Sequence, residues 1–341
     1  MIRTGVSYYG TRALNHVESD LDEMKKNNVT YVVHTFSEND YMFYRETMKD
    51  IAELTKKKGL EAQFDPWGLV GIFGGEAFSD FVSFNTDVRQ VLNNNQTGAA
   101  ACPNHPDTLK FLKRWIDAAI DASADAIFWD EPHFYYPGRF GRKEPKTVWG
   151  CLCKHCQRRF RKMFRKSMPT YKTDKVVEFQ DKCLVELLDK LVQYTFRKEC
   201  QSTLCLLPHR SALERGLWDV AAQIPNLVSI GTDPYWSDLN RQKTHEFFDR
   251  FFTAAARKIV SLSKRYHIGG HLWIQNFNIK RNREEDISDA IWRAYDTGIR
   301  DFAAWTFFGN NYMSSLKTDD PKRVWQILGK SYWRLHHIKS T

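Results

Sequence analysis

Ala126-Ile127-Phe128-Trp129-Asp130-Glu131-Pro132-His133 is an apolar run that stops abruptly at two adjacent carboxylates, a proline and a histidine. Consecutive apolar residues bounded by turn chemistry suit a core strand of a parallel sheet, covered on both faces. Pro132 has no N–H to give to a ladder, so the strand ends where the acids begin. In parallel α/β architectures, ligand-binding and catalytic side chains collect at the C-terminal ends of strands. Read alone, Asp130 could start a turn and Glu131 could pair with an arginine. The functional reading therefore depends on whether the pattern recurs.

It recurs along the whole chain. Strand-like runs are expected at Arg3–Tyr9, Thr30–Thr35, Leu60–Phe64, Ala126–Trp129, Ser202–Leu207, Leu227–Thr232, His271–Ile274 and Arg300–Trp305. Segments of helical period separate them, near Val17–Lys26, Asp40–Lys57 (closed by Gly59), Pro106–Ala122, Lys154–Phe164, Thr173–Lys198, Glu246–Arg265 and Glu284–Thr297, with a last helix at Pro321–Leu335. Eight strand–helix units in alternation predict an α/β chain folded as a (β/α)8 TIM barrel, a single domain over residues 1–341. An open doubly wound sheet is the structural alternative. Two segments interrupt the alternation: an insertion over about 67–105 and a cysteine-rich stretch over about 149–164. The insertion carries Phe73, Phe78, Phe81 and Phe84 and a polar loop through Asn93–Gln96, and is expected to wall a binding cleft. No Gly-x-Gly-x-x-Gly or Walker-type loop occurs, so a nucleotide cofactor is not expected.

Composition narrows the class. With 42% hydrophobic and 14% aromatic residues, the 341-residue chain can fill a large core and still spare rings for stacking on sugars or bases. The formal charge of +9 would suit a polyanion, but the basic residues are scattered, as in Lys56-Lys57-Lys58 and Arg158-Arg159, so no nucleic-acid partner is expected. No secretory signal and no membrane-spanning apolar run is visible. Seven cysteines, an odd number, then point to a reducing cytoplasm rather than a disulfide framework. A homo-oligomer stays open.

The residues just past the strands are Asp65 with Trp67, Asp130 with Glu131 and His133, His209 with Arg210, Asp233 with Tyr235 and Trp236, Gln275 with Asn276, and Trp305. Glu76, in the insertion, adds another acid. Carboxylates, amides and indole rings converging on one barrel mouth are what glycoside hydrolysis requires: an acid for the leaving oxygen, a second carboxylate, and flat apolar faces against sugar C–H groups. On this reading the substrate is a small oligosaccharide or glycoside. Gln275, Asn276, His133 and His209 would hold hydroxyls, and Trp67, Trp236 and Trp305 would stack on rings.

Cys151-x-Cys153-x-x-Cys156 has thiols close enough in sequence for one metal ion, and tetrahedral zinc needs a fourth ligand. Cys102 is the natural candidate and His155 a weaker one. Cys183, Cys200 and Cys205 lie within apolar or helical runs and read as buried free thiols.

A cysteine before the fourth strand, an acid at that strand's end, and Cys-x-Cys-x-x-Cys followed by Gln157-Arg158-Arg159-Phe160-Arg161 together resemble the family 42 β-galactosidases of glycoside-hydrolase clan A. The likeness is specific over about Cys102–Phe164 and architectural elsewhere. It implies a structural zinc on Cys102, Cys151, Cys153 and Cys156, and Glu131 as general acid/base, with Asp130 where the clan has asparagine. The clan's nucleophile is a glutamate at the end of strand seven, where this chain has Gln275-Asn276. Asp233 is the preferred substitute, with Asp65 and Glu76 next. A catalytically silent carbohydrate-binding barrel is the first alternative, and a zinc-containing nucleic-acid binder the second.

Overall fold

The computed structural model describes residues 1–138, 143–208, 216–236 and 241–338. In chain order its strands are β1 Arg3–Tyr8, β2 Tyr31–Thr35, β3 Glu61–Asp65, β4 Arg89–Val91, β5 Thr97–Ala101, β6 Ala126–Trp129, β7 Gln201–Leu206, β8 Ser229–Thr232, β9 Gly269–Gln275 and β10 Asp301–Trp305. All but β4 and β5 are parallel and close into one ring of eight, with β10 pairing back onto β1. The expected TIM barrel is the fold. β4 and β5 form a separate antiparallel hairpin.

Side chains alternate along each strand, so every second residue faces the barrel axis. Tyr31, Val33, Phe128, Cys205, Trp273 and Ala303 meet there as one buried cluster, against which Tyr235 and Trp305 pack. Large rings on some strands need small residues on their neighbours. Tyr31 lies where a side chain on Gly5 would stand, and His271 does the same to Gly231. The base of the barrel is closed by polar groups: Arg3 pairs with Glu61 at 2.9 Å and Asp301 at 3.1 Å, and Tyr31 donates to Asp301 at 2.8 Å.

The outward faces are covered by helices. Helix Pro106–Asp121 places Phe111, Leu112, Trp115, Ile116 and Ala119 on its buried face, with Pro106 in the first turn and His105 Nδ1 accepting from the Asp107 N–H. Each fully buried aliphatic side chain there contributes about 1.5–3 kcal/mol. The helix expected over Asp40–Lys57 is two, Glu38–Phe43 and Arg45–Lys57, broken at Tyr44, whose φ of −127° is not helical. A capping box between Ser37 and Asp40 starts the first. Helical structure continues from Arg241 to Tyr266 through one π-type turn at Phe248–Phe252. Among the described residues no helix is long and apolar enough to cross a membrane.

The insertion after β3 is more ordered than a loop. It holds a short helix, Asp80–Phe84, and the β4–β5 hairpin, whose turn is the Asn93–Gln96 stretch, with Asn95 at φ +64°. Glu38 ties it to the barrel: this buried carboxylate accepts from the Val70 N–H at 2.8 Å, the Ser79 hydroxyl at 2.6 Å and the Phe81 N–H at 2.7 Å. Its phenylalanines do not share one wall. Phe73 packs on Trp129 in the core and Phe81 stacks on Phe111 at 4.2 Å, whereas Phe78 and Phe84 are exposed.

Candidate active site

A cavity of about 280 Å³ opens at the C-terminal mouth of the barrel. Asp65 ends β3, Asp130 and Glu131 follow β6, and Asp233 follows β8, so strand ends deliver four of its acids; Glu76 comes from the insertion. Trp67, Tyr235, Trp273, Phe277 and Trp305 form its aromatic side, with Phe128 and Ser7 deeper in the barrel. Trp67 and Trp305 lie nearly parallel with ring centroids 6.1 Å apart, and Phe277 meets Trp305 edge-on at 4.5 Å. No described residue lining this cavity is Lys, Arg or His.

Local backbone geometry sets the acids. Glu131 sits at φ +37°, sparsely populated for a residue with a side chain, and its N–H bonds the Cys205 carbonyl of β7 at 3.1 Å. Gly74 donates its N–H to the Asp130 carbonyl at 3.0 Å and lies against the Asp130 carboxylate, where a side chain would collide. Asp65 accepts the N–H groups of Phe36 and Trp67 on its backbone carbonyl, both at 2.8 Å, which fixes the bend that presents Trp67.

Crowding without a cation raises the acids' affinity for protons. Burial pushes the Asp65 carboxyl well above the usual range, and the charges of Glu131 and Glu76 push further. Asp130 shifts the same way, through desolvation first and then Glu131, Asp65 and Glu76. Asp233 shifts upward through burial first and then through the influence of the neighbouring Glu131 and Asp130. Oδ1 of Asp65 and of Asp233, the Ser7 hydroxyl and the Trp273 indole N–H are buried with no hydrogen-bond partner.

Of the residues expected from the sequence, Asp65, Trp67, Glu76, Asp130, Glu131, Asp233 and Trp305 therefore line one cavity. The others lie elsewhere. His133 gives its Nδ1 proton to the Glu131 carbonyl at 2.6 Å and lines an adjoining cavity of about 450 Å³. Trp236 is 3% exposed and packs on Phe248 at 5.1 Å in the core. Gln275 accepts from the Trp236 N–H at 2.5 Å and donates to the Phe277 carbonyl at 2.9 Å. Asn276 donates to the Thr306 carbonyl at 2.8 Å. Both amides hold backbone rather than line the cavity. His209 lies outside the described residues. The strand-end reading passed over Ser7, Phe128, Trp273 and Phe277. Period-two alternation was the available signal for two of them, since Phe128 and Trp273 stand two residues before Asp130 and Gln275 on the same strand faces.

The four cysteines Cys102, Cys151, Cys153 and Cys156 are buried free thiols whose sulfurs lie within 4.8 Å of one another. Cys102 Sγ is 3.4 Å from both Cys153 Sγ and Cys156 Sγ. Four thiolates at about 2.3 Å around a tetrahedral zinc would stand slightly under 4 Å apart, so the set fits that ion after a small expansion. Asn104 donates to the sulfurs of Cys156 and Cys183, each at 3.2 Å. His155 has its Nε2 buried without a partner and its ring against His105 at 4.7 Å, outside the four-sulfur group.

The chain matches no known protein family and no curated protein sequence. Solved structures match it in fold. The endo-1,4-β-mannanase from Rhizomucor miehei aligns over 99% of this chain and 95% of its own, with 8% identity and a TM-score of 0.65. The endo-β-1,4-mannanase from Thermotoga petrophila aligns over 98% and 77%, with 8% identity and a TM-score of 0.58. The D-allulose 3-epimerase from Methylomonas sp., solved with D-allulose, aligns over 98% and 96%, with 10% identity and a TM-score of 0.54. At these identities the shared property is the parallel barrel itself.

Proposed function

We propose that the protein is a glycoside hydrolase acting on a small oligosaccharide or glycoside, with Glu131 as proton donor and Asp233 as nucleophile. One observation carries the reading: two carboxyl groups from the ends of different barrel strands, close enough that the charge of Glu131 raises the proton affinity of Asp233, line one cavity together with several aromatic rings. A sugar ring packed on an aromatic face of the cavity would have Asp65, Asp130 and Glu76 in the same cavity as partners for its hydroxyls. With substrate bound the proton held by the pair must sit on Glu131, which passes it to the glycosidic oxygen as the C–O bond breaks, while Asp233, then a carboxylate, bonds to the anomeric carbon. Water then attacks that carbon, its proton goes to Glu131, and Asp233 leaves as carboxylate.

Inverting enzymes separate their carboxyl groups by about 6.5–9.5 Å to admit a water, and retaining enzymes by about 5–5.5 Å. The double-displacement route through Asp233 is the retaining one, so retention of anomeric configuration is its expected outcome. The neighbours in fold include glycoside-cleaving and sugar-epimerising enzymes, which is consistent with a carbohydrate substrate. The cysteine group would hold a structural zinc that takes no part in the reaction.

A panel of 4-nitrophenyl glycosides tests this. Release of nitrophenol by the native chain and its loss in Glu131→Gln support hydrolysis. Failure on every glycoside, or full activity in the variant, overturns it. Proton transfer at a sugar carbon is the second reading, because carboxyl groups with raised proton affinity in one cavity also suit it. Deuterium entering a free ketose from D2O, with no glycoside cleaved, would replace hydrolysis by epimerisation.

A further inference from the structure

We infer that the cavity at the barrel mouth takes a sugar bearing a free primary ammonium group, an amino sugar that is not N-acylated. This rests on the hydrolase reading for its sugar but not for its charge. Hydrolysis uses two carboxyl groups, whereas Asp65, Glu76, Asp130, Glu131 and Asp233 all line the cavity and no described basic residue does. A neutral sugar would displace water from these acids without cancelling any charge, and so would worsen their mutual repulsion. An ammonium group offsets it. Its three N–H donors also suit acceptors that now lack partners, Oδ1 of Asp65 and Oδ1 of Asp233, on side chains only 4% and 5% exposed.

The aromatic side fits the same cation. Trp67, Tyr235, Trp273 and Trp305 line the same cavity as the acids, and ring faces within about 6 Å attract an ammonium group. Quaternary ammonium ligands have no N–H for the carboxylates. A divalent metal ion wants converging oxygens. Among the described residues, the groups whose ligand atoms converge within 4.8 Å are the four cysteines and Asp87, His105 and Asp107, not the acids of this cavity. A free amine on a sugar meets all of these conditions, and an N-acetyl group loses the charge.

Matched sets of glucosamine, glucose and N-acetylglucosamine, with the galacto and manno counterparts, are titrated against the native chain at pH 7.5 by calorimetry. The same pairs are assayed as 4-nitrophenyl glycosides. At least one amino sugar should bind about 10-fold or more tightly than its neutral and N-acetylated partners. The preference should fall toward unity in Asp65→Asn, with Asp130→Asn as the second variant if the first does not fold. Equal or tighter binding of the neutral sugars overturns the inference. Cleavage of neutral glycosides with no preference for amines removes the inference and leaves hydrolysis standing. An amine preference in binding with no glycoside cleaved does the reverse, and no binding by any sugar removes both.

Discussion

The carboxyl groups of Glu131 and Asp233 line one cavity and interact, the charge of the first raising the proton affinity of the second, although one follows β6 and the other β8, with β7 between them. The reach comes from the backbone of Glu131, turned to φ +37° and held by the Cys205 carbonyl on the intervening strand. If the pair works as acid and nucleophile, Glu131→Gln should lower kcat on substrates with poor leaving groups by about 10²–10⁴-fold and spare activated aryl glycosides more. Asp233→Asn should fail on both. The double variant should be little worse than the poorer single one, because the residues act as a unit. Multiplicative losses in steady-state assays would mean that the two carboxyls do not cooperate.

Glu38 gives the insertion its position, and through it the cavity. Its carboxylate satisfies two backbone N–H groups and a hydroxyl in the segment that follows Trp67. Glu38→Ala leaves those donors buried without acceptors, each costing about 1–3 kcal/mol. The thermal midpoint should fall, and the variant should also bind substrate more weakly because Trp67 and Glu76 lose their support. Unchanged denaturant and thermal unfolding would show that water replaces the carboxylate at no cost.

Stability should depend on pH in a direction set by the buried acids. Asp65 and Asp233 bind protons more tightly in the folded state than their ordinary value of 3.8. Their contribution is therefore fully present below the unfolded value and is lost as pH rises through the raised folded values. Raising pH from 5 to 8 should lower the unfolding midpoint of the native chain more than that of Asp65→Asn. The variant should gain on the native chain at pH 8, since each unit of raised pKa is worth about 1.4 kcal/mol. Parallel midpoint curves for the two proteins would contradict the assignment.

Gly74 lies where the Asp130 carboxylate leaves no room for a side chain. Gly74→Ala should cost about 1–3 kcal/mol by overpacking and displace Asp130 from the cavity. Activity should drop by more than stability accounts for at a temperature where the variant is folded. An unfolding midpoint and kcat/KM equal to those of the native chain would show that the loop simply shifts.

The barrel was legible because its strands are short apolar runs with polar ends, a signal that survives without knowledge of any contact. The acids were legible for the same reason: Asp65, Asp130 and Asp233 each stand where an apolar run stops. What the linear pattern could not say is which way a residue points once the strand has bent. Gln275 ends β9 and His133, Trp236 and Asn276 follow strands, yet the chain there directs them to neighbouring backbone or core. Gln275 is instructive, since its amide is engaged at both ends by residues 236 and 277, a pairing across two strand ends. The phenylalanines of the insertion misled for a related reason. Composition marked them as a group, while a hairpin and a short helix send them to different surfaces.

The cysteine group carries the last prediction. Left as thiols, four sulfurs this close compete for few protons: Cys153 is driven toward the thiolate while its hydrogen-bonded partners Cys102 and Cys156 are pushed away from it. A divalent ion removes the conflict by letting all four ionise. Zinc is the expected ion because the ligands are all sulfur and can close a tetrahedron. The purified chain should contain about one zinc per molecule. Cys153→Ser should lower both zinc content and the unfolding midpoint, and Cys200→Ser, whose thiol lies in the main core and donates to backbone carbonyls outside the four-sulfur group, should change neither metal content nor thiol accessibility elsewhere. Because Cys102 immediately follows β5 and precedes the helix Pro106–Asp121 that leads into β6, removal of the ion should loosen the hairpin and the Asp130 strand together. Chelation should therefore expose several thiols to a colorimetric reagent at once and reduce activity in step. A metal-free chain whose thiols stay protected and whose midpoint does not move on chelation would show that packing alone holds these sulfurs together.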